Sequence, residues 1–103
     1  MLVIRNAQFS AIREGILREV EHQALAEWPE ADRPAAEDLR RAMARAISYG
    51  LASRGQLLRF LALGRKLSLD FDVDPNREWA AEVLHDVELT AAVRISILEE
   101  RAS

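Results

Sequence analysis

Apolar residues recur at intervals of three and four along almost the whole chain, the spacing of helices that each bury one face. Phe9, Ile12, Ile16 and Val20 begin the first stripe, and Ala24, Leu25 and Trp28 extend it. The spacing predicts a helix from about Ala7 to Trp28, with Asn6 as N-cap and Pro29 as the stop. A second helix is expected to open near Asp32–Pro34, with proline in its first turn and Glu37 and Asp38 near the positive end of its dipole. Its buried stripe is Leu39, Ala42, Met43, Ala46 and Ile47, and Gly50 is the natural left-handed terminator. Ser53-Arg-Gly-Gln56 matches a capping box and begins a third helix. That helix is apolar most of the way round (Leu57, Leu58, Phe60, Leu61, Leu63, Leu67), which predicts a central position, and Gly64 marks close packing or the start of fraying. Asp74-Pro75 reads as N-cap and first helical residue of a short fourth helix holding Trp79, Val83 and Leu84. A last helix is expected over roughly Leu89 to Arg101, with Ala92, Val93, Ile95, Ile97 and Leu98 on its apolar side. The expected fold is all-α: residues 1–103 form one compact bundle of four or five helices, without internal repeats.

Composition narrows the function classes. Seventeen alanines bias the chain towards helix throughout. There is no cysteine, which excludes disulfides, iron–sulfur clusters, cysteine-rich zinc sites and a thiol nucleophile. No apolar run approaches the roughly 20 residues of a membrane span, and no signal-peptide core follows Met1, so a soluble cytoplasmic domain is expected. Thirteen of the 14 basic residues are arginine, which a GC-rich genome explains more simply than a need for phosphate- or carboxylate-binding forks.

The net charge of −3 conceals a segregation. Between Leu39 and Leu69 there is no acid, and there are seven bases: Arg40, Arg41, Arg45, Arg54, Arg59, Arg65 and Lys66. Residues 1–38 carry eight acids against four bases, and residues 70–103 carry nine against three. One reading is internal neutralisation of a basic hairpin by acidic flanks, through surface ion pairs of small individual worth. The other is a basic face that steers and orients an acidic partner. On the second reading the seven bases form the partner-binding surface, and Arg40, Arg41 and Arg45 are expected to border the Leu39–Met43–Ile47 stripe without belonging to it.

Nucleic acid is the obvious acidic partner, since the second and third helices with their glycine turn could form a helix-turn-helix across residues 39–69. Against it, Gln56 and Arg59 fall where that motif needs apolar residues, and the chain is acidic with a pI near 5.4. Asp70-x-Asp72-x-Asp74 supplies the first three ligand positions of a calcium loop, but Pro75 stands where the turn glycine belongs and Ala81 where the bidentate glutamate belongs. A solvated acidic connection whose last aspartate caps a helix is the simpler expectation, with no metal and no cofactor. His22 and His85 each have a glutamate one turn away, Glu19 and Glu82, but neither has a second histidine at metal spacing. No nucleophile elbow, phosphate-cradling glycine loop or dinucleotide turn is present in the sequence, so no catalytic residues are assigned and no enzyme is expected.

Met1-Leu-Val-Ile-Arg5 with Gln8 and Phe9, then Tyr49-Gly50-Leu51 with Ser53, Phe60-Leu61, Leu63-Gly64, Phe71-Asp72-x-Asp74-Pro75 and Trp79-Ala80-x-x-x-Leu84, occur in that order. This series resembles a group of small helical proteins encoded beside type VI secretion spike and toxin-effector genes in proteobacteria. In that group acidic residues are usual where this chain has Gly55-Gln56 and Arg59. The resemblance implies an accessory role as immunity protein, effector chaperone or adaptor, with a protein partner and no catalytic residues. The leading expectation is therefore a non-enzymatic protein-interaction domain, with a small DNA-binding regulator as the alternative.

Overall fold

The structure is a computed structural model that describes the backbone of residues 2–102 and the side chains of residues 15–102. Among the described residues there are five α-helices and no strand: α1 (Leu2–Glu27), α2 (Ala36–Ser48), α3 (Arg54–Lys66), α4 (Glu78–Leu84) and α5 (Ala91–Ala102). Single 3-10 turns at Glu30–Asp32 and Pro75–Arg77 precede α2 and α4. No described helix is long and apolar enough to cross a membrane.

The stripes pack as their spacing requires. Val20, Ala24 and Trp28 of the α1 segment, and Leu39, Ala42, Met43 and Ala46 of α2, are buried in one core cluster. Leu57, Phe60, Leu61 and Leu63 bring α3 into the same cluster, and α3 packs against α1, α2 and α5. From Gln56 to Gly64 no residue of α3 is exposed, so the most apolar helix is the axis of the bundle. At Gly64 a β-carbon would lie 3.3 Å from Leu69 Cδ1 and 3.4 Å from Leu69 Cα, so the glycine permits close approach of the following connection. Phe71 anchors that connection, its ring centroid 5.0 Å from that of Phe60.

The α2–α3 corner follows from two local signals. Gly50 has φ +88°, and the amides of Gly50 and Leu51 donate to the carbonyls of Ile47 and Ala46, the paired bonds of a Schellman terminator. Ser53 Oγ accepts from the Gln56 amide while Gln56 Oε1 accepts from the Ser53 amide, a complete capping box. Asp74 likewise caps the turn ahead of α4 through the Asn76 amide.

Three sequence expectations are corrected. Helix α1 begins at Leu2, so Asn6 lies inside it and not at its N-cap position; the side chains of Phe9 and Ile12 fall outside the described residues. Helix α2 begins at Ala36, because Arg33, restricted by the following Pro34, and Ala35 are extended, and no proline enters its first turn. On α5, Ala92 and Val93 face solvent. The inward face is Ala91, Ile95, Leu98 and Ala102, spaced four, three and four, and Thr90 Oγ1 accepts from the Val93 amide at the start of that helix.

Candidate functional site

The only buried polar side chain among the described residues is Asp72, closed to solvent in the connection between α3 and α4. An ionised carboxylate in that position requires charge-assisted partners. Arg45 Nε, from the last turn of α2, donates to Asp72 Oδ2 over 2.8 Å, and its Nη2 reaches Oδ1 over 3.3 Å. Tyr49, which closes α2, donates its hydroxyl to Asp72 Oδ2 over 2.7 Å. The same Arg45 Nη2 also reaches the Leu69 carbonyl (3.0 Å) and Asp70 Oδ1 (3.2 Å).

Helix spacing produces this clamp: Arg45 and Tyr49 are one turn apart and project from one side of α2. Burial and donation to Asp72 push the Tyr49 hydroxyl pKa well above the ordinary tyrosine value. Burial opposes the Arg45 charge, but the hydrogen bond and attraction to Asp72 outweigh it and raise the guanidinium pKa. The clamp extends outward through Arg94, whose Nη1 donates to the Tyr49 carbonyl (2.8 Å) and whose Nε donates to the Asp86 carbonyl (2.9 Å). The His85 ring meets Tyr49 edge-on, with centroids 5.4 Å apart.

This geometry corrects the placement of Arg45. It does not border the stripe as a free rim charge; it is the counter-ion of a buried carboxylate. Of the other six predicted surface bases, five pair with acids, and Arg59, Arg65 and Lys66 line one cleft that does not include Arg40, Arg41 or Arg54. Arg40 pairs with Glu21 of α1 (2.9 Å), and Arg41 with Glu37 and Asp38 of its own helix (2.7 and 3.3 Å). Arg54 meets Glu19 (3.4 Å), and Arg59 clasps Glu99 of α5 through Nε (3.0 Å) and Nη2. The Arg59 bond holds the Glu99 carboxyl below the usual carboxylate range. Arg65 reaches the Glu27 carboxylate over 3.5 Å and donates to the Glu27 carbonyl over 3.4 Å, and Lys66 has no acidic partner within 4 Å among the described residues. The acidic flanks thus meet the basic hairpin mostly helix to helix.

The calcium-like triad is likewise divided among cations and amides. Asp70 and Asp72 face Arg45, while Asp74 accepts from the Asn76 amide and from Arg77 (2.7 Å). Among the described residues no cluster of histidine and carboxylate side chains is arranged to hold a metal ion.

Known families, curated proteins and solved structures yield no match to this chain.

What remains open to solvent is relief between helices. One cleft of about 590 Å³ lies between α1 and α2, floored by Leu17, Met43, Ala44 and Ile47 and rimmed by Arg18 and the Glu21–Arg40 pair. A second, of about 520 Å³, lies between the ends of α3 and α5, where Arg59, Arg65, Lys66 and Glu99 surround Ala62, Leu63, Ala102 and Pro29. Of the two tryptophans, Trp28 is buried, whereas Trp79 is half-buried with the Arg101 guanidinium 5.6 Å from its ring. The Arg45–Asp72–Tyr49 clamp joins residues 23 and 27 positions apart. Its one local signal was Asp72 directly after Phe71, an acid beside a core aromatic in a connection.

Proposed function

We infer that this chain is a non-enzymatic protein-interaction domain, an accessory protein of a secreted effector of the type VI or a similar class, acting in the bacterial cytoplasm as immunity protein, chaperone or adaptor. The observation that carries the reading is the pair of inter-helix clefts with apolar floors and charged rims. Such clefts suit an extended or helical segment of another protein, in which side chains fill the floor and rim charges fix register. The fully satisfied Asp72 clamp supports it, because a carboxylate held by arginine and tyrosine and closed to water rigidifies a scaffold. The effector context comes from the likeness in the segments around Tyr49–Leu51 and Phe71–Pro75.

The regulator reading draws less support from the geometry. A recognition helix must present side chains along its length to a groove, and between its exposed ends, Arg54-Gly55 and Arg65-Lys66, α3 is buried or half-buried, with Arg59 engaged by Glu99. Co-expression with the product of the adjacent gene tests the proposal. A stoichiometric complex that survives size-exclusion chromatography is the expected result. Submicromolar, salt-sensitive binding of a specific DNA duplex, with no such complex, would overturn it.

A further inference from the structure

We propose that the cleft between the C-terminal ends of α3 and α5 is the docking site for an acidic, partly apolar segment of the protein partner. The proposal rests on the interaction-domain reading and adds the location and chemistry of the contact. It follows from where the basic stretch keeps uncommitted charge. Arg40, Arg41, Arg45, Arg54 and Arg59 are each held by a carboxylate at 3.4 Å or closer. The last turn of α3 is engaged least: Arg65 reaches only Glu27, through its carboxylate at 3.5 Å and its carbonyl at 3.4 Å, and Lys66 has no acid within 4 Å among the described residues.

Both residues line the same cleft, with Arg59 on its α5 side. The lining therefore holds three cations against one carboxylate, Glu99, which Arg59 already engages. This is a positive recess on a chain whose net charge is −3. Ala62, Leu63 and Ala102 supply an apolar floor, which a small inorganic anion would leave unused. A peptide carrying carboxylates beside an apolar side chain uses both features: its charges meet Lys66 and Arg65, and its apolar group covers the floor.

Favourable placement at the negative end of the helix dipole also explains a basic last turn. That role requires no ligand, so binding separates the two explanations. The experiment titrates the labelled full chain, followed by amide NMR, with an amphipathic glutamate–leucine peptide, a lysine–leucine peptide of the same pattern, and a short DNA duplex. Saturable shifts with the acidic peptide alone, centred on residues 62–66 and 99–102, are expected. Lys66→Glu should weaken that binding about tenfold or more, with the rest of the spectrum unchanged; Lys66→Gln provides a milder variant should reversal disturb the fold. Acidic-peptide shifts confined to the α1–α2 cleft, or no saturable shifts, would overturn the docking site. Neither would touch the broader reading, which stands or falls on the complex with the neighbouring gene product. Tighter duplex binding at residues 62–66 would defeat both.

Discussion

At the scale of the residue, the fold holds a buried charge, Asp72, that its neighbours Arg45 and Tyr49 make tolerable. Tyr49 is the sole tyrosine, so its ionisation can be followed directly by ultraviolet absorbance. Its folded pKa is raised, first by burial and then by its hydrogen bond to Asp72. A raised pKa contributes stability that is complete below the unfolded value near 10 and is lost as pH climbs through the folded value. The absorbance midpoint should lie above that of a free tyrosine, and the melting temperature should fall from about pH 10 upward, less steeply in Tyr49→Phe. An ordinary midpoint would mean that the hydroxyl is not held by Asp72. Glu99 works in the opposite direction: its pKa is lowered chiefly by the Arg59 hydrogen bond, so its contribution is present above the ordinary glutamate value and lost as pH falls through the lowered one. Both partners are about two-fifths exposed, so removing the pair with Glu99→Gln should cost only about 0.2–1 kcal/mol in urea unfolding. Calcium has no place among Asp70, Asp72 and Asp74 while Arg45 and Arg77 hold them, and millimolar calcium should leave the melting temperature unchanged.

At the scale of the element, chain reversals are set by short-range chemistry, and that chemistry was legible. Gly50 and the Ser53–Gln56 box act within five residues of the bonds they make, so type and spacing alone disclosed the α2–α3 corner. Gly50→Ala should cost about 1–2 kcal/mol, since any side chain at φ +88° meets the left-handed penalty. Ser53→Ala should cost about 1 kcal/mol through the lost cap. Both should appear as a lower urea midpoint with an unchanged slope; a slope change would show that the corner also shapes the unfolded state. The Arg45 clamp was not legible in the same way. Its members lie on two elements brought together by Phe71 and Leu69 packing, and Asp70-x-Asp72-x-Asp74 taken alone looks like a solvated loop. The inward face of α5 was legible in part: Ile95 and Leu98 are buried as expected, but Ala92 and Val93 are as apolar as Ala91 and only the docked helix distinguishes them.

At the scale of the whole molecule, segregated charge becomes a means of assembly: acids of α1, α5 and the Asp70–Asp72 connection meet bases of α2 and α3 where the elements touch. The segregation itself was visible in the sequence, but a bare count could not distinguish a shared basic face from distributed pairing. The central claim is that Arg45 is structural while other bases of the stretch are peripheral to stability. Urea unfolding of three single charge reversals tests it most directly. Arg45→Glu should lose about 3 kcal/mol or more, because it leaves buried Asp72 facing a second carboxylate. Arg41→Glu and Lys66→Glu, both at exposed positions, should each change stability by about 1 kcal/mol or less. Three equally small losses would contradict the account, placing Arg45 on an ordinary surface and leaving Asp72 without its counter-ion.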